Sequence, residues 1–264
     1  MSKIDWITVC QEMGRRAGEK MLEIYATEQR NTELGTGYGG DKTLKADKAA
    51  EDIIIRKLRK LDTGMKIISE EAGEISIGKR PEYILVVDPL DGSFNYKIGV
   101  GYFGVSIGVL DKNKDVIAGY VLNVPGGTEF YATEEGAFKN GARIRTGKRN
   151  SRGHMLLECS NKADSRAIAF LSNMLLNVRH VRAYGAVALD LCNVADGTFD
   201  CFLYAGVSRY LDVVAGIYIL EKAGGIVSDF QGDKKIREGT TLRVKNLLAV
   251  TNKHIYDMFL RNGF

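Results

Sequence analysis

The segment YILVVDPLDGSFNY, residues 83–96, constrains this chain more than any other. Its leading apolar run reads as a buried strand. The strand drives into a turn that carries two carboxylates, Asp88 and Asp91, separated by a proline and a leucine and followed by Gly92, Ser93 and an aromatic residue. A turn with proline at its second position uses at most one aspartate for its own hydrogen bonding. The second acid therefore needs a reason outside local structure.

The surroundings of that strand predict a mixed α/β (α+β) protein. Trp6, Val9, Met13, Ala17, Met21 and Ile24 recur at helical spacing. TELGTGYGG, 32–40, reads as a mobile loop, and 48–61 as a second helix. MKIISEEAG reads as a short strand ending in acids, and GVSIGVLDKNKDVIAGYVLN as a hairpin about its polar centre. The first part is thus helices followed by a mostly antiparallel sheet. Beyond it, strands at LLECSN, HVRAY, CFLYAG, GIVSDF and LLAVTN alternate with helices at 167–176, 186–195 and 211–223 and a terminal helix. Gly224 and Gly225 stop the third of these as a C-terminal glycine cap does. We expect one domain over 1–264, with intimately packed parts of about 1–140 and 141–264.

Composition and motif spacing exclude several functions. The net charge of +4 is slight, and the densest basic cluster, GKRNSR at 147–152, reads as a solvated loop and not as a nucleic-acid stripe. No apolar run approaches the ~20 residues of a membrane span. The N-terminal segment reads as an amphipathic helix and lacks the grammar of a signal peptide. Cys10, Cys159, Cys192 and Cys201 are scattered without zinc spacing, which fits a reduced, cytoplasmic setting. Gly35, Gly37 and Gly40 satisfy GxGxxG but follow a polar stretch, so the dinucleotide fingerprint lacks its strand. An EF-hand is absent because its alternating acids are missing.

The acids fall where active sites are built, at the ends of elements. Asp47 opens a helix, Glu70 and Glu71 end a strand, Asp88 and Asp91 sit in the turn, and Asp212 lies in the first turn of a helix. Each alone has a bland reading: a helix cap, a solvated acid, a plain turn. Together they offer hard oxygen ligands without the His or Cys that zinc favours, as magnesium with a substrate phosphate requires. Asp88 and Asp91 could each take a different ion, with the Leu90 carbonyl between them, in a two-metal phosphate site.

These residues resemble the inositol monophosphatase family, including the archaeal type that also hydrolyses fructose 1,6-bisphosphate. DPLDGSFN matches its aspartate turn, SEEAG its acidic pair and GGDKTLKADKAAED its upstream loop and aspartate. LDVVAG matches the downstream aspartate pattern, RAYGAVALDLCNVADGTFD the segment lining the sugar, and EFYATEEGAFKNGARI and AGGIVSDFQG the structural hairpin and the ending. The resemblance spans nearly the whole chain. It implies a layered αβαβα sugar-phosphatase fold and an enzyme that hydrolyses phosphate monoesters with two or three Mg2+ ions, Mn2+ being an alternative. Asp47, Glu70, Asp88, Leu90 through its carbonyl, Asp91 and Asp212 are the implied metal ligands, and Asp47, Glu70 and Ser93 the implied catalytic residues. Substrate contacts fall on Asp91, Gly92, Ser93, Arg182, Gly185, Ala186, Val187, Arg209 and Asp212.

The same resemblance implies a homodimer or dimer of dimers, lithium inhibition and a small-molecule sugar phosphate as substrate; the slight charge and the short apolar runs speak against nucleic acid and membrane as partners. Substrate choice is less defined. Ala205, seven residues before Asp212, stands where inositol-selective members resemble one another in carrying glutamate and archaeal bisphosphatases tend to carry arginine. Arg182 and Arg209 could meet a second phosphate or simply be surface arginines. Inositol 1-phosphate ranks first and fructose 1,6-bisphosphate close behind; a nucleotide bisphosphate or NADP phosphatase is the alternative, ahead of a non-catalytic regulatory protein.

Overall fold

One stripe of Trp6, Cys10, Met13, Ala17, Met21 and Ile24 is buried along the first helix, α1 (Trp6–Tyr25), as its periodicity requires. The computed structural model describes residues 4–38, 40, 42–147, 153–160, 162–176, 178–234 and 243–262. The basic run at 148–152 lies outside the described residues, as do Gly39 and Asp41 of the upstream loop. A 3₁₀ turn (Glu28–Asn31) follows α1, then the strands β1 (Glu33–Thr36) and β2 (Lys42–Leu44), then α2 (Lys45–Leu58).

Two expectations change here. The stretch expected as loop at 32–40 contributes β1, paired antiparallel with β2. All four residues of β1 are exposed, so no apolar alternation announced it. The second helix runs Lys45–Leu58 and not 48–61, because the Asp47 carboxylate turns back to the Leu44 N–H at 2.6 Å and starts the helix early.

The large sheet uses β3 (Met65–Ser69), β4 (Gly73–Ile77), β5 (Tyr83–Asp91), β6 (Gly104–Asp111), β7 (Val116–Asn123), β8 (Thr128–Thr133), β9 (Gly136–Lys139) and β10 (Ala142–Ile144), with the short helix α3 (Ser93–Ile98) after β5. Its order is β10-β9-β8-β7-β6-β5-β3-β4, antiparallel except where β3 runs parallel to β5. The second sheet takes β11 (His154–Cys159), β12 (His180–Arg182), β13 (Cys201–Arg209), β14 (Ile226–Asp229) and β15 (Arg243–Val250), in the order β12-β11-β13-β15-β14. Four helices complete this half: α4 (Ser165–Leu175), α5 (Val187–Ala195), α6 (Tyr210–Lys222) and α7 (Lys253–Asn262).

Side-chain alternation sorts these elements into αβαβα layers. On β7, Ala118, Tyr120 and Leu122 face α1 and α2, while Val121 faces the other way into a core with α5 and α6. On β13, Phe202 and Tyr204 enter that same middle core, and Cys201, Leu203 and Ala205 enter an outer core with α4 and α7. The middle layer lies close on the large sheet: a Cβ on Gly108 would come within 2.8 Å of Val214 on α6. Only glycine allows that approach, which brings the start of α6 toward the end of β5.

Candidate metal centre

The two aspartates of the opening turn meet because β5 is irregular where they stand. Asp88 pairs with Ser106 and Asp91 with Gly104, so three steps on β5 match two on β6. In an unbroken strand residues three apart face opposite sides; the extra residue of a bulge returns both carboxylates to one side. Pro89 can sit there because a bulge leaves a residue outside the ladder. The Leu90 N–H donates to Asp88 Oδ1 at 3.0 Å, and the Ser93 hydroxyl donates to the Leu90 carbonyl at 3.2 Å.

Around this bulge the described residues bring ligand oxygens of Glu70, Asp88 and Asp212 within 4.8 Å of one another. Glu70 follows β3 and is held there by its N–H bond to the Val87 carbonyl at 3.3 Å. Asp212 sits in the first turn of α6 and accepts from the Arg209 N–H at 3.1 Å, so it is both a helix cap and a member of the cluster. Asp91 accepts from the Leu189 N–H at 3.2 Å, at the N-terminus of α5. Asp47, buried on α2, lies within reach of the charges of Glu71, Glu70 and Glu51.

Burial and crowding make these acids reluctant to ionise. Burial, more than any neighbour, pushes Glu70 up to about 7 and Asp47 up to about 8. Burial also lifts Asp88 well above the carboxylate range, aided by the charges of Glu70, Asp91 and Asp212. Asp91 and Asp212 rise for the same first reason. Arg209 supplies a cation: its Nη2 lies 2.5 Å from Glu70 Oε1 and 3.1 Å from Asp212 Oδ1. One guanidinium against Glu70, Asp88, Asp91 and Asp212 leaves the group three charges short of neutral when all four are ionised. An all-oxygen donor set with such a deficit fits a hard divalent cation.

The remaining predicted residues divide. Gly92 adopts the left-handed conformation at φ 86°, and a Cβ there would meet Ala186 Cβ at 3.0 Å and the Tyr102 carbonyl at 3.1 Å. The segment bearing Gly185, Ala186 and Val187 is thus pressed against the aspartate turn. Asn95 fastens it there by donating to the carbonyls of Tyr102 at 2.8 Å and Tyr184 at 2.5 Å. Arg209 is turned into the acid cluster. Arg182 lies exposed on the edge strand β12 and donates to its neighbour's carbonyl, that of Val181, at 2.9 Å. Ala205 is fully buried in the outer core, on the face of β13 opposite the middle layer.

Two buried acids, Glu51 and Asp190, and the half-buried Glu158 escaped the sequence reading. Glu51 accepts from the Ser69 hydroxyl at 2.6 Å and the Ala72 N–H at 2.8 Å, so it sets the turn that carries Glu70 and Glu71. Its spacing of four from Asp47 on one helix was a usable signal. Asp190, the lone acid in the apolar helix α5, accepts from the Tyr102 hydroxyl at 2.8 Å. Glu158, near the end of the apolar strand β11, has its Oε2 buried with no hydrogen-bond partner among the described residues.

Known proteins share this architecture. A "Fructose-1,6-bisphosphatase/inositol-1-monophosphatase" of Thermococcus kodakarensis is 32% identical over 98% of this chain and 97% of its own. A "Nus factor SuhB" of Pseudomonas aeruginosa is 32% identical over 94% of this chain and 96% of its own. The crystal structure of the extragenic suppressor protein suhB from Bartonella henselae superposes with a TM-score of 0.87 at 29% identity, covering 98% of both chains. The family model described as "Inositol monophosphatase family" matches residues 4–262, and the chain with its buried acid centre belongs to that metal-dependent phosphatase family.

Proposed function

We propose that this protein is a magnesium-dependent phosphomonoesterase acting on sugar phosphates, with inositol 1-phosphate as first substrate and fructose 1,6-bisphosphate as second. The observation that carries the reading is the all-carboxylate cluster of buried Glu70 and Asp88 with half-buried Asp212, set against the glycine-lined contact of Gly92 with Gly185 and Ala186. Asp47, Glu70, Asp88, Asp91, Asp212 and the Leu90 carbonyl would hold Mg2+, or Mn2+ in its place. Bound there, such ions supply Lewis-acid charge and make water easier to deprotonate.

The chain's own residues do the rest. Glu70, with Asp47 and Ser93, orients the attacking water and takes its proton. Gly92 and Ser93 receive the phosphate through backbone N–H groups and the Ser93 hydroxyl. Attack is in line on phosphorus, and Asp91 and Asp212 sit on the side from which the alcohol leaves. Gly185, Ala186 and Val187 line that side. Arg209 holds Glu70 and Asp212 in register, and Arg182, exposed on β12, would be a cation for a second phosphate.

Retention of every acid favours catalysis over a purely regulatory role. The family likeness is also the support for a homodimer or dimer of dimers, for lithium inhibition and for a small-molecule sugar phosphate as substrate, and the scattered cysteines are the support for a cytoplasmic setting. No described helix is long and apolar enough to cross a membrane. A phosphate-release panel of inositol 1-phosphate, fructose 1,6-bisphosphate, adenosine 3′,5′-bisphosphate and NADP, with and without Mg2+, tests the reading. Dominant release from either sugar phosphate supports it; dominant release from a nucleotide, or none, overturns it.

A further inference from the structure

Glu158 is placed by register. Strand β11 runs parallel to β13 with Glu158 opposite Tyr204 and Leu156 opposite Phe202. Leu156, Phe202 and Tyr204 all enter the middle core, so the Glu158 side chain points into the layer that holds α5 and α6. In the next pair, Ala205 enters the outer core and Cys159 is exposed. Ala205 is thereby withdrawn from the site, while the carboxylate one residue earlier on the adjoining strand faces it.

The charges around Glu158 say which side of the centre it occupies. After burial, the charge acting on it is that of Asp212, and its own charge acts in turn on Asp91, Asp190 and Tyr204. Asp47, Glu70 and Asp88 do not feel it among their leading influences. It therefore belongs with Asp91 and Asp212, opposite the water-activating acids. Within the protein it forms no hydrogen bond among the described residues, and one oxygen is shut off from solvent. The buried Oε2 lacks a donor, and hydroxyl groups are donors.

Resting on the phosphatase reading above, we infer that Glu158 accepts hydrogen bonds from hydroxyls of the departing alcohol and selects a neutral polyol as leaving group.

Glu158→Gln tests this, because it keeps the shape and removes the charge. With Mg2+, kcat/KM for inositol 1-phosphate relative to that for phenyl phosphate, which has no alcohol hydroxyls, should fall about tenfold or more, mainly through KM, since a hydrogen bond to a charged acceptor has that worth. Free myo-inositol should raise the melting temperature of the wild type and not of the variant. The variant alone should melt no lower than the wild type, since it loses no protein contact. An unmoved ratio, or an equal loss on both esters with a lowered melting temperature, would overturn the inference. If the wild type hydrolyses neither ester, the phosphatase reading fails and the myo-inositol arm decides for Glu158: stabilisation that the variant loses supports the inference, and its absence overturns it.

Discussion

Asp88 shows how one residue serves strand, turn and site together. It is buried with Glu70, Asp91 and Asp212 as like-charged neighbours and Arg209 as the nearby cation. Asp88→Asn should therefore lower magnesium-dependent kcat by about a thousandfold, as several kcal/mol of charge stabilisation is lost. The same variant should leave the metal-free protein at least as heat-stable as the wild type, because a buried like charge is removed. Steady-state kinetics and calorimetry check the two halves separately. Glu51 makes the opposite forecast. It touches no ligand position but anchors the Ser69 hydroxyl and the Ala72 N–H, so Glu51→Ala should cost about 2–3 kcal/mol in urea unfolding.

At the scale of elements, the β5 bulge and the left-handed Gly92 bring the acids and the α5 start together. Gly92→Ala meets both an unfavourable φ and the contact with Ala186 and Tyr102, and should destabilise by roughly 1–3 kcal/mol with a marked loss of turnover. Gly40→Ala is the control: its φ is also positive, at 92°, but a Cβ there has nothing within 4 Å, so only the backbone strain remains. Urea midpoints of the two variants separate packing from strain. Much of the element pattern could be read in advance, since α1 carries a helical apolar period, the β6–β7 hairpin a polar turn between apolar runs, and α6 a long apolar run stopped by Gly224 and Gly225. Strand β1 could not, because its residues are all exposed and its pairing with β2 leaves no mark in hydropathy. The bulge was equally hidden: DPLD reads as an ordinary turn, and only pairing with β6 shows that it turns both aspartates one way. Glu51 and Glu158 were within reach of pattern reading, but Glu158 gains meaning only when β11 is laid beside β13.

For the whole molecule, the acid centre opposes the fold unless a cation or proton satisfies it. Glu70 is lifted from 4.5 to about 7 and Asp47 from 3.8 to about 8. In that interval the native state holds protons that the unfolded chain has released, so stability of the metal-free protein falls as pH rises from about 4 to about 8. Melting temperatures without metal should decline across that window, and added Mg2+ should recover more of the loss at pH 8 than at pH 5, where protons compete for the same oxygens. The large sheet delivers β3 and β5, and the middle layer delivers α5 and α6, so the centre exists only where these layers meet. Phosphate release from inositol 1-phosphate by wild type and Asp88→Asn, each titrated with Mg2+, is the most direct measurement. Saturable magnesium-dependent release by the wild type, reduced about a thousandfold in the variant, is the expected result. Release that is indifferent to Mg2+, or a variant as active as the wild type, would contradict a phosphatase built on this carboxylate centre.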